Sequence, residues 1–299
     1  MSTPTELDRR KDVEKLLVEM RPKLHRYCAR MTGSVIDGED VLQEVLVRAL
    51  ETLPADGTIE NPEGWLIRVA HNAAMDFLRA RARHDARYKD ESMDMIEDSK
   101  DPIRDHQVAA ASLRRFMELP VAQRGTVILV DVLEYSLQEA ATILDTSLPA
   151  LKSALHRGRG RLRELSQRPE EDTVTALSDA DRTRLSTYIE YFNTRNFDAV
   201  RELLANEVRL DLVGRVQMNG KRDVSNYVSN YSKNLDWRLG LGLVEGRPAV
   251  VATDPAGPPD KALYFILLEW TGDQVLKIRD FRYARYVMDG ANVRINLLA

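Results

Sequence analysis

The stretch Ser136–Arg163, SLQEAATILDTSLPALKSALHRGRGRLR, decides how the first half of this chain is read. Ser136 and Glu139 stand at the S-x-x-E spacing of a capping box, which satisfies free N–H groups and so marks a helix start. Leu137, Ala140, Ala141 and Leu144 follow at helical spacing. Asp145-Thr146-Ser147 supplies a turn, with Asp145 tolerating the left-handed region, Ser147 as N-cap, and Pro149 in a first turn where its missing N–H costs little. In the second helix Leu148, Leu151, Leu155 and Leu162 point inward, while Lys152, His156, Arg157, Arg159, Arg161 and Arg163 project elsewhere. A hairpin with a solvated charged face is the plain reading, but solvated faces usually mix signs in i,i+4 pairs. This one is nearly all positive, which suits a helix lying along DNA phosphates.

At 299 residues the chain has room for two or three domains. Its net charge of -4 would argue against nucleic acid if it were evenly spread, but Arg79, Arg81, Arg83 and Arg87 form a second basic block. The single cysteine, Cys28, excludes an intrachain disulfide and a Cys-rich metal site, and its apolar helical context marks a buried core residue. No metal and no cofactor is expected. The polar N-terminus lacks an apolar leader and no stretch approaches a membrane span, so no membrane contact and a cytoplasmic location are expected.

Upstream of the opening stretch, residues 12 to 31 carry a helical apolar rhythm interrupted near Pro22. Asp37-Gly38-Glu39-Asp40 opens the next helix with carboxylates in its first turn, where they favour the positive end of the dipole. Asp37, Glu39, Asp40, Gln43 and Glu44 form its compact acidic face, and a loop follows from Pro54 to Glu63. The helix from Gly64 to about Arg83 buries Leu66, Val69 and Ala73, and sets Arg68, His71, Asn72, Asp76, Arg79, Arg81 and Arg83 on other faces. An aromatic, an Asn and a run of Arg are the ingredients for base contact and phosphate clamping, with Trp65 equally readable as core. Acid then dominates from Tyr88 to His106, a linker, before helices at 107 to 118 and Val121 to Leu133.

Past Arg168-Pro169 a second linker leads to a different composition. Two amphipathic helices, around Leu185–Phe192 and Phe197–Leu204, precede strand-like runs at 208 to 213, 237 to 244, 249 to 253, 263 to 270 and 274 to 283. The expected architecture is an α+β domain with an antiparallel meander.

Two segments resemble the bacterial extracytoplasmic-function sigma factors, the two-domain promoter-specificity subunits of RNA polymerase. Asp37-Gly-Glu-Asp-Val-Leu-Gln-Glu44 is similar to that family's core-binding helix, and Asn61-Pro-Glu-Gly-Trp-Leu-Ile-Arg-Val-Ala-His-Asn-Ala-Ala-Met-Asp76 to its promoter-melting segment. Leu119-Pro-Val-Ala-Gln-Arg124 and the hairpin from Ser136 to Leu162 resemble its -35-reading domain. The resemblance implies a multidomain chain: residues 1–88 as the helical region 2, an acidic linker at 89–106, region 4 with its helix-turn-helix at 107–168, a linker at 169–182, and an α+β domain at 183–299. It implies that Asp37, Glu39, Asp40, Gln43 and Glu44 meet core RNA polymerase. Asn61, Trp65, Arg68, Asn72, Asp76, Arg79 and Arg83 would meet the -10 element, and Ser147, Lys152, Ser153, His156, Arg157 and Arg159 the -35 element. Melting about a dozen base pairs at about 1.4 kcal/mol per step exceeds what Trp65 and Phe77 return by stacking, roughly 1 to 3 kcal/mol per base, so a large partner is required. Gly158 and Gly160 are expected to weaken the recognition helix.

The third domain resembles the SnoaL-like branch of the NTF2-like cone, through Tyr191–Val200, Val208–Gly214 and Phe265–Tyr286. Such appended domains imply a built-in regulator that contacts the sigma domains. Asp211, Tyr264, Asp280 and Tyr283 are candidate pocket groups for an unknown small ligand or for acid/base chemistry, although no enzyme activity is expected. The alternatives are a stand-alone helix-turn-helix regulator, or an NTF2-like small-molecule enzyme tethered to DNA.

Overall fold

The computed structural model describes residues 6–52, 59–86, 112–168, 177–231, 233 and 236–295. The linker expected at 89–106, residues 107–111 of the helix after it, residues 54–58 of the expected loop and residues 169–176 of the second linker lie outside these. The chain divides into two compact units, Met1–Glu170 and Glu171–Ala299.

The first unit begins with α1 (Glu6–Thr32), α2 (Val35–Glu51) and α3 (Pro62–Ala86). Pro22 does not interrupt α1 as its sequence suggests. It is exposed, as is Val18 one turn earlier, so the carbonyl that loses its partner is open to water. Helix α2 starts two residues before Asp37 because Ser34 caps it, its hydroxyl accepting the Asp37 N–H at 3.1 Å. Gly38 lets α2 press onto α1, for a Cβ there would stand 2.6 Å from the Ala29 backbone. Leu24, Tyr27, Leu42, Val45, Leu66 and Ala70 close the core of the three helices.

Next come α4 (Leu113–Met117), α5 (Val121–Val127), α6 (Leu137–Ile143) and α7 (Leu148–Ser166). The single helix expected over Val121–Leu133 instead widens at its end into a π turn, Ile128–Val132, in which the Leu133 N–H reaches the Ile128 carbonyl at 2.9 Å. Ser136 and Glu139 form the capping box before α6, Asp145 takes φ +50° in the turn, and Ser147 accepts the Ala150 N–H to start α7. Gly158 is a packing requirement rather than a weakness. A Cβ there would meet Val127 Cγ2 at 2.6 Å, so its absence sets the crossing of α5 and α7.

The second unit opens with α8 (Asp179–Asn193), capped by Ser178, and α9 (Phe197–Glu202), capped by Asn196. Then follow β1 (Leu204–Leu212), β2 (Val216–Asn219), α10 (Lys221–Tyr231), β3 (Arg238–Val244), β4 (Arg247–Thr253), β5 (Ala262–Thr271), β6 (Gln274–Asp280) and β7 (Val293–Ile295). The sheet order is β2-β1-β6-β5-β4-β3-β7. It is not the wholly antiparallel meander its sequence suggests. The chain leaves β1 through β2 and α10, returns at the far side, and works back to β6, which therefore lies parallel to β1. Its core is aromatic: Tyr188, Phe192, Phe197, Tyr227, Tyr231 and Trp237 pack on Leu210, Leu239, Val250 and Ile266 of the sheet.

Candidate nucleic-acid interface

Helix α3 and Asn61 just before it carry the seven residues assigned to the -10 element on one stripe. Positions 61, 65, 68, 72, 76, 79 and 83 repeat at intervals of three and four, the period at which helix side chains stack on one face. At 1.5 Å per residue the stripe runs about 33 Å. Asn61, Arg68, Asn72, Asp76, Arg79 and Arg83 are exposed and Trp65 is half-buried. Asn61 has a second duty, because its Oδ1 accepts the Gly64 N–H at 2.9 Å and so caps the helix. Asp76 is clasped by Arg79 at 3.2 Å and by Arg48 of α2 at 2.9 Å. Arg68 donates to the Thr142 carbonyl of α6. Behind the stripe His71 meets the Tyr27 hydroxyl at 2.7 Å, and burial followed by the nearby Arg79 charge lowers its pKa.

The acidic face assigned to α2 is smaller than its sequence suggests. Glu39 is fully buried and ion-paired with Arg21 of α1, so it belongs to the packing of the two helices and is withdrawn from the surface. Asp40 and Glu44 are exposed, Gln43 and Asp37 half-buried. Glu44 pairs with Arg48 at 2.5 Å, and Asp37 with Arg81 of α3 at 3.4 Å, so α2 and α3 share charge along their common edge.

On α7, Ser147, Lys152, Ser153 and Arg157 are exposed and His156 is half-buried, one turn from Lys152 and Ser153. Arg159 is turned inward. Its Nε donates to Asp131 at 2.9 Å and its Nη2 to the other oxygen, a two-point pair that holds α7 to the π turn. Ala154 faces the core. The outward surface therefore comprises Ser147, Lys152, Ser153, His156 and Arg157.

Of the four pocket candidates in the second unit, Asp211 stands apart, whereas Tyr264 and Asp280 meet in one buried cluster, joined through Tyr231. Leu210 and Leu212 enter the core, so Asp211 between them faces the opposite side of the sheet, 3.5 Å from Arg279 of the neighbouring strand. Tyr264 is inside, its hydroxyl accepting from Arg282 at 3.0 Å. Tyr283 lies past the end of β6, 45% exposed, with the Arg215 guanidinium over its ring. What the fold does assemble is a cluster around Asp280. Its Oδ2 accepts from Tyr231 and, at 3.2 Å, from Tyr227, and its Oδ1 accepts the Arg282 N–H at 2.9 Å. Burial raises the Asp280 pKa, opposed by those three donors, and pushes the Tyr264 phenol up to about 12. Tyr227 and Tyr231 escaped sequence reasoning because α10 did, although Val224, Tyr227, Val228 and Tyr231 do repeat at helical spacing. Asp280 is thus buried, and both of its oxygens accept hydrogen bonds from within the fold.

Among the described residues no cluster of His, Cys, Asp and Glu is suited to a metal ion, and no helix is long and apolar enough to cross a membrane.

Two exposed helix faces bearing cations, beside an acidic helix, define a protein built to meet nucleic acid at two points. Its helices match the family models Sigma-70 region 2 over residues 16–84 and Sigma-70, region 4 over residues 113–162. The ECF RNA polymerase sigma factor SigM of Mycobacterium tuberculosis is 31% identical over 147 residues, covering 48% of this chain and 71% of SigM. SigG of the same organism is 25% identical over 306 residues, covering 92% of this chain and 82% of SigG. The second unit is similar to a solved ketosteroid-isomerase-like protein of Kribbella flavida, with 21% identity, a TM-score of 0.27, and coverage of 33% of this chain and 75% of that one. The chain belongs to the ECF RNA polymerase sigma factors, which bind core polymerase and promoter DNA to initiate transcription.

Proposed function

We propose that α3 reads the -10 element through its stripe from Asn61 to Arg83, that α7 reads the -35 element through Ser147, Lys152, Ser153, His156 and Arg157, and that Asp40 and Glu44 with Gln43 and Asp37 dock on core polymerase. The seven-residue stripe on α3 carries this reading, because one straight face of about 33 Å matches the run of an unwound strand. The second unit acts as a built-in regulator of the sigma regions rather than as an enzyme. The sealed Asp280 cluster supports that role, as does the SigG alignment, whose 92% coverage extends well past Arg168 into the second unit. Whether its core admits a small ligand is a separate matter on which regulation does not depend.

Full-length protein and a chain ending after Arg168 should be compared for promoter-specific transcription with core polymerase. A changed output on truncation is expected, and equal output would remove the regulatory role. Asp40→Lys with Glu44→Lys should abolish co-purification with core. If the charge-reversed chain binds core normally, the docking face lies elsewhere.

A further inference from the structure

Between α5 and α6 the backbone twice leaves its ordinary forms. Ile128–Val132 widens into the π turn, and Glu134, which is not a glycine, takes φ +61°. Both forms are disfavoured, and the segment carries none of the residues assigned to DNA or to polymerase. Backbone held in this way persists where its surroundings over-determine it, and it gathers at functional sites. What this segment delivers is Asp131. Its side chain is 7% exposed and lies against α7, where its two oxygens accept from Arg159, the Nε at 2.9 Å and the Nη2 beside it.

A two-point pair fixes direction as well as distance. It adds little net stability when buried, because desolvation offsets the attraction, and its use is to select one arrangement among several. The rest of the joint lacks that directionality. Leu151, Leu155 and Leu162 pack α7 by apolar burial, which is non-directional. At Gly158, one residue before Arg159, α7 comes so near α5 that a Cβ would stand 2.6 Å from Val127 Cγ2 and 3.4 Å from the Gln123 carbonyl oxygen. That close crossing is a pivot, which sets how near the helices come rather than the angle between them. The DNA-facing residues lie along a lever from it. At 1.5 Å per residue Lys152 is about 9 Å from the pivot and Ser147 about 16 Å. A turn of about 10° would carry Lys152 about 1.6 Å and Ser147 about 3 Å, whereas recognition geometry tolerates about 0.5 Å. Such a turn would spoil contacts to base edges and leave the attraction of Lys152 and Arg157 for phosphates nearly intact.

We infer that Asp131 and Arg159 are positioning residues for the -35 element. Their pair, presented by the π turn, sets the angle at which α7 enters the major groove, and neither residue touches DNA. The inference deepens the reading of α7 as the -35 helix and rests on it. It accounts for an arginine that stands in a run of cations yet is turned away from them.

The test uses full-length protein with core polymerase on two promoters that differ only in an intact or a scrambled -35 element. The ratio of the two outputs reads positioning, because a variant that is merely less stable loses both outputs together. Asp131→Asn keeps the shape of the side chain but loses its charge and one of its two acceptors. It should lower the ratio at least about fivefold, the low end of what one lost base contact costs. Arg159→Lys keeps the charge but not the fork, and should do the same with the salt dependence of promoter binding unchanged, since no phosphate contact is lost. The double variant should be no worse than the worse single one, because the pair acts as a unit.

A wild-type ratio in Asp131→Asn overturns the inference, and so do losses that add in the double variant. Tighter binding with a steeper salt dependence in Asp131→Asn would show the released Arg159 reaching phosphate in its own right, which also overturns it. If Asp131→Asn does not fold, Arg159→Lys decides alone: a lowered ratio at unchanged salt dependence supports positioning, and a flatter salt dependence or an unchanged ratio refutes it. Wild-type protein with equal output from both promoters would instead remove the -35 role of α7 and the inference with it, a result distinct from a variant that keeps the wild-type ratio.

Discussion

The stripe on α3 and the cluster around Asp280 use polar side chains under opposite rules. Asn72, Arg79 and Arg83 stand in solvent on the outside of a helix whose inner face is already packed. Tyr227, Tyr231 and Asp280 are buried and satisfy one another. Polar groups turned outward can exchange their surface contacts for those of a partner, whereas a closed network in low dielectric stabilises the fold that contains it. The difference separates a surface that can meet a partner in the first unit from a buried network that holds the second unit together.

The comparison is most exposed at Asp280. Replacing it by Ala leaves two tyrosyl hydroxyls and the Arg282 N–H unpaired in the core, at about 1–3 kcal/mol each. Calorimetry of the full chain should show the second unit melting far earlier, or not folding, with the first unit's transition unmoved. A variant of normal stability would mean that Asp280 is not structural and would reopen the catalytic reading. Next in size is Gly38→Ala, whose methyl would press on the Ala29 backbone and should cost about 1–3 kcal/mol in the first unit, measured by urea unfolding. No loss would show that α1 and α2 can separate at little cost, and that the first unit is looser than the second.

The contrast also marks what the sequence could convey. Local signals survived intact: the capping box at Ser136 and Glu139, the left-handed Asp145, the Ser147 cap and the three-and-four spacing on α3 each depend on residues within one or two turns. Readings that depend on a distant neighbour did not. Glu39 looks like a surface acid until Arg21, 18 residues earlier, buries it, and Arg159 looks like a phosphate ligand until the π turn delivers Asp131. Gly158 looks like a helix defect until Val127 occupies the space of its missing side chain. The parallel pairing of β1 with β6 carries no local signal at all, since strand alternation fixes which side chains go in but not the direction of a neighbour.

Lys152→Ala with Arg157→Ala tests the outward-facing side of the comparison. Both side chains are exposed, so unfolding should shift by no more than about 0.5 kcal/mol. Binding of the holoenzyme to a promoter with a -35 element should weaken by about 1–3 kcal/mol per base-contacting residue, and less, with a flatter salt dependence, where the contact is to phosphate. Loss of stability in place of affinity would move α7 to the same class as the Asp280 cluster.

The smallest effect separates the two units by the sign of their response to pH. Burial, then the Arg79 charge, lowers the His71 pKa in the folded first unit. A depressed folded value means that the neutral ring contributes stability fully present above the ordinary histidine value of about 6.5, and lost as pH falls through the folded pKa. The ring nitrogen facing the Tyr27 hydroxyl then carries a proton of its own. For Asp280, burial outweighs its hydrogen-bond donors and raises the pKa, so its contribution runs the other way: full below the unfolded carboxylate value of about 3.9, and lost as pH rises through the folded pKa. Acidification from neutrality should therefore weaken the first unit through His71 while relieving the second through Asp280. Other carboxylates titrate in the same window, so the measurement is differential. The gap in melting temperature between wild type and His71→Gln should narrow as pH falls through the histidine range, and the gap between wild type and Asp280→Asn should change with the opposite slope. Parallel slopes would erase the distinction, because they would place both groups in the same kind of surroundings.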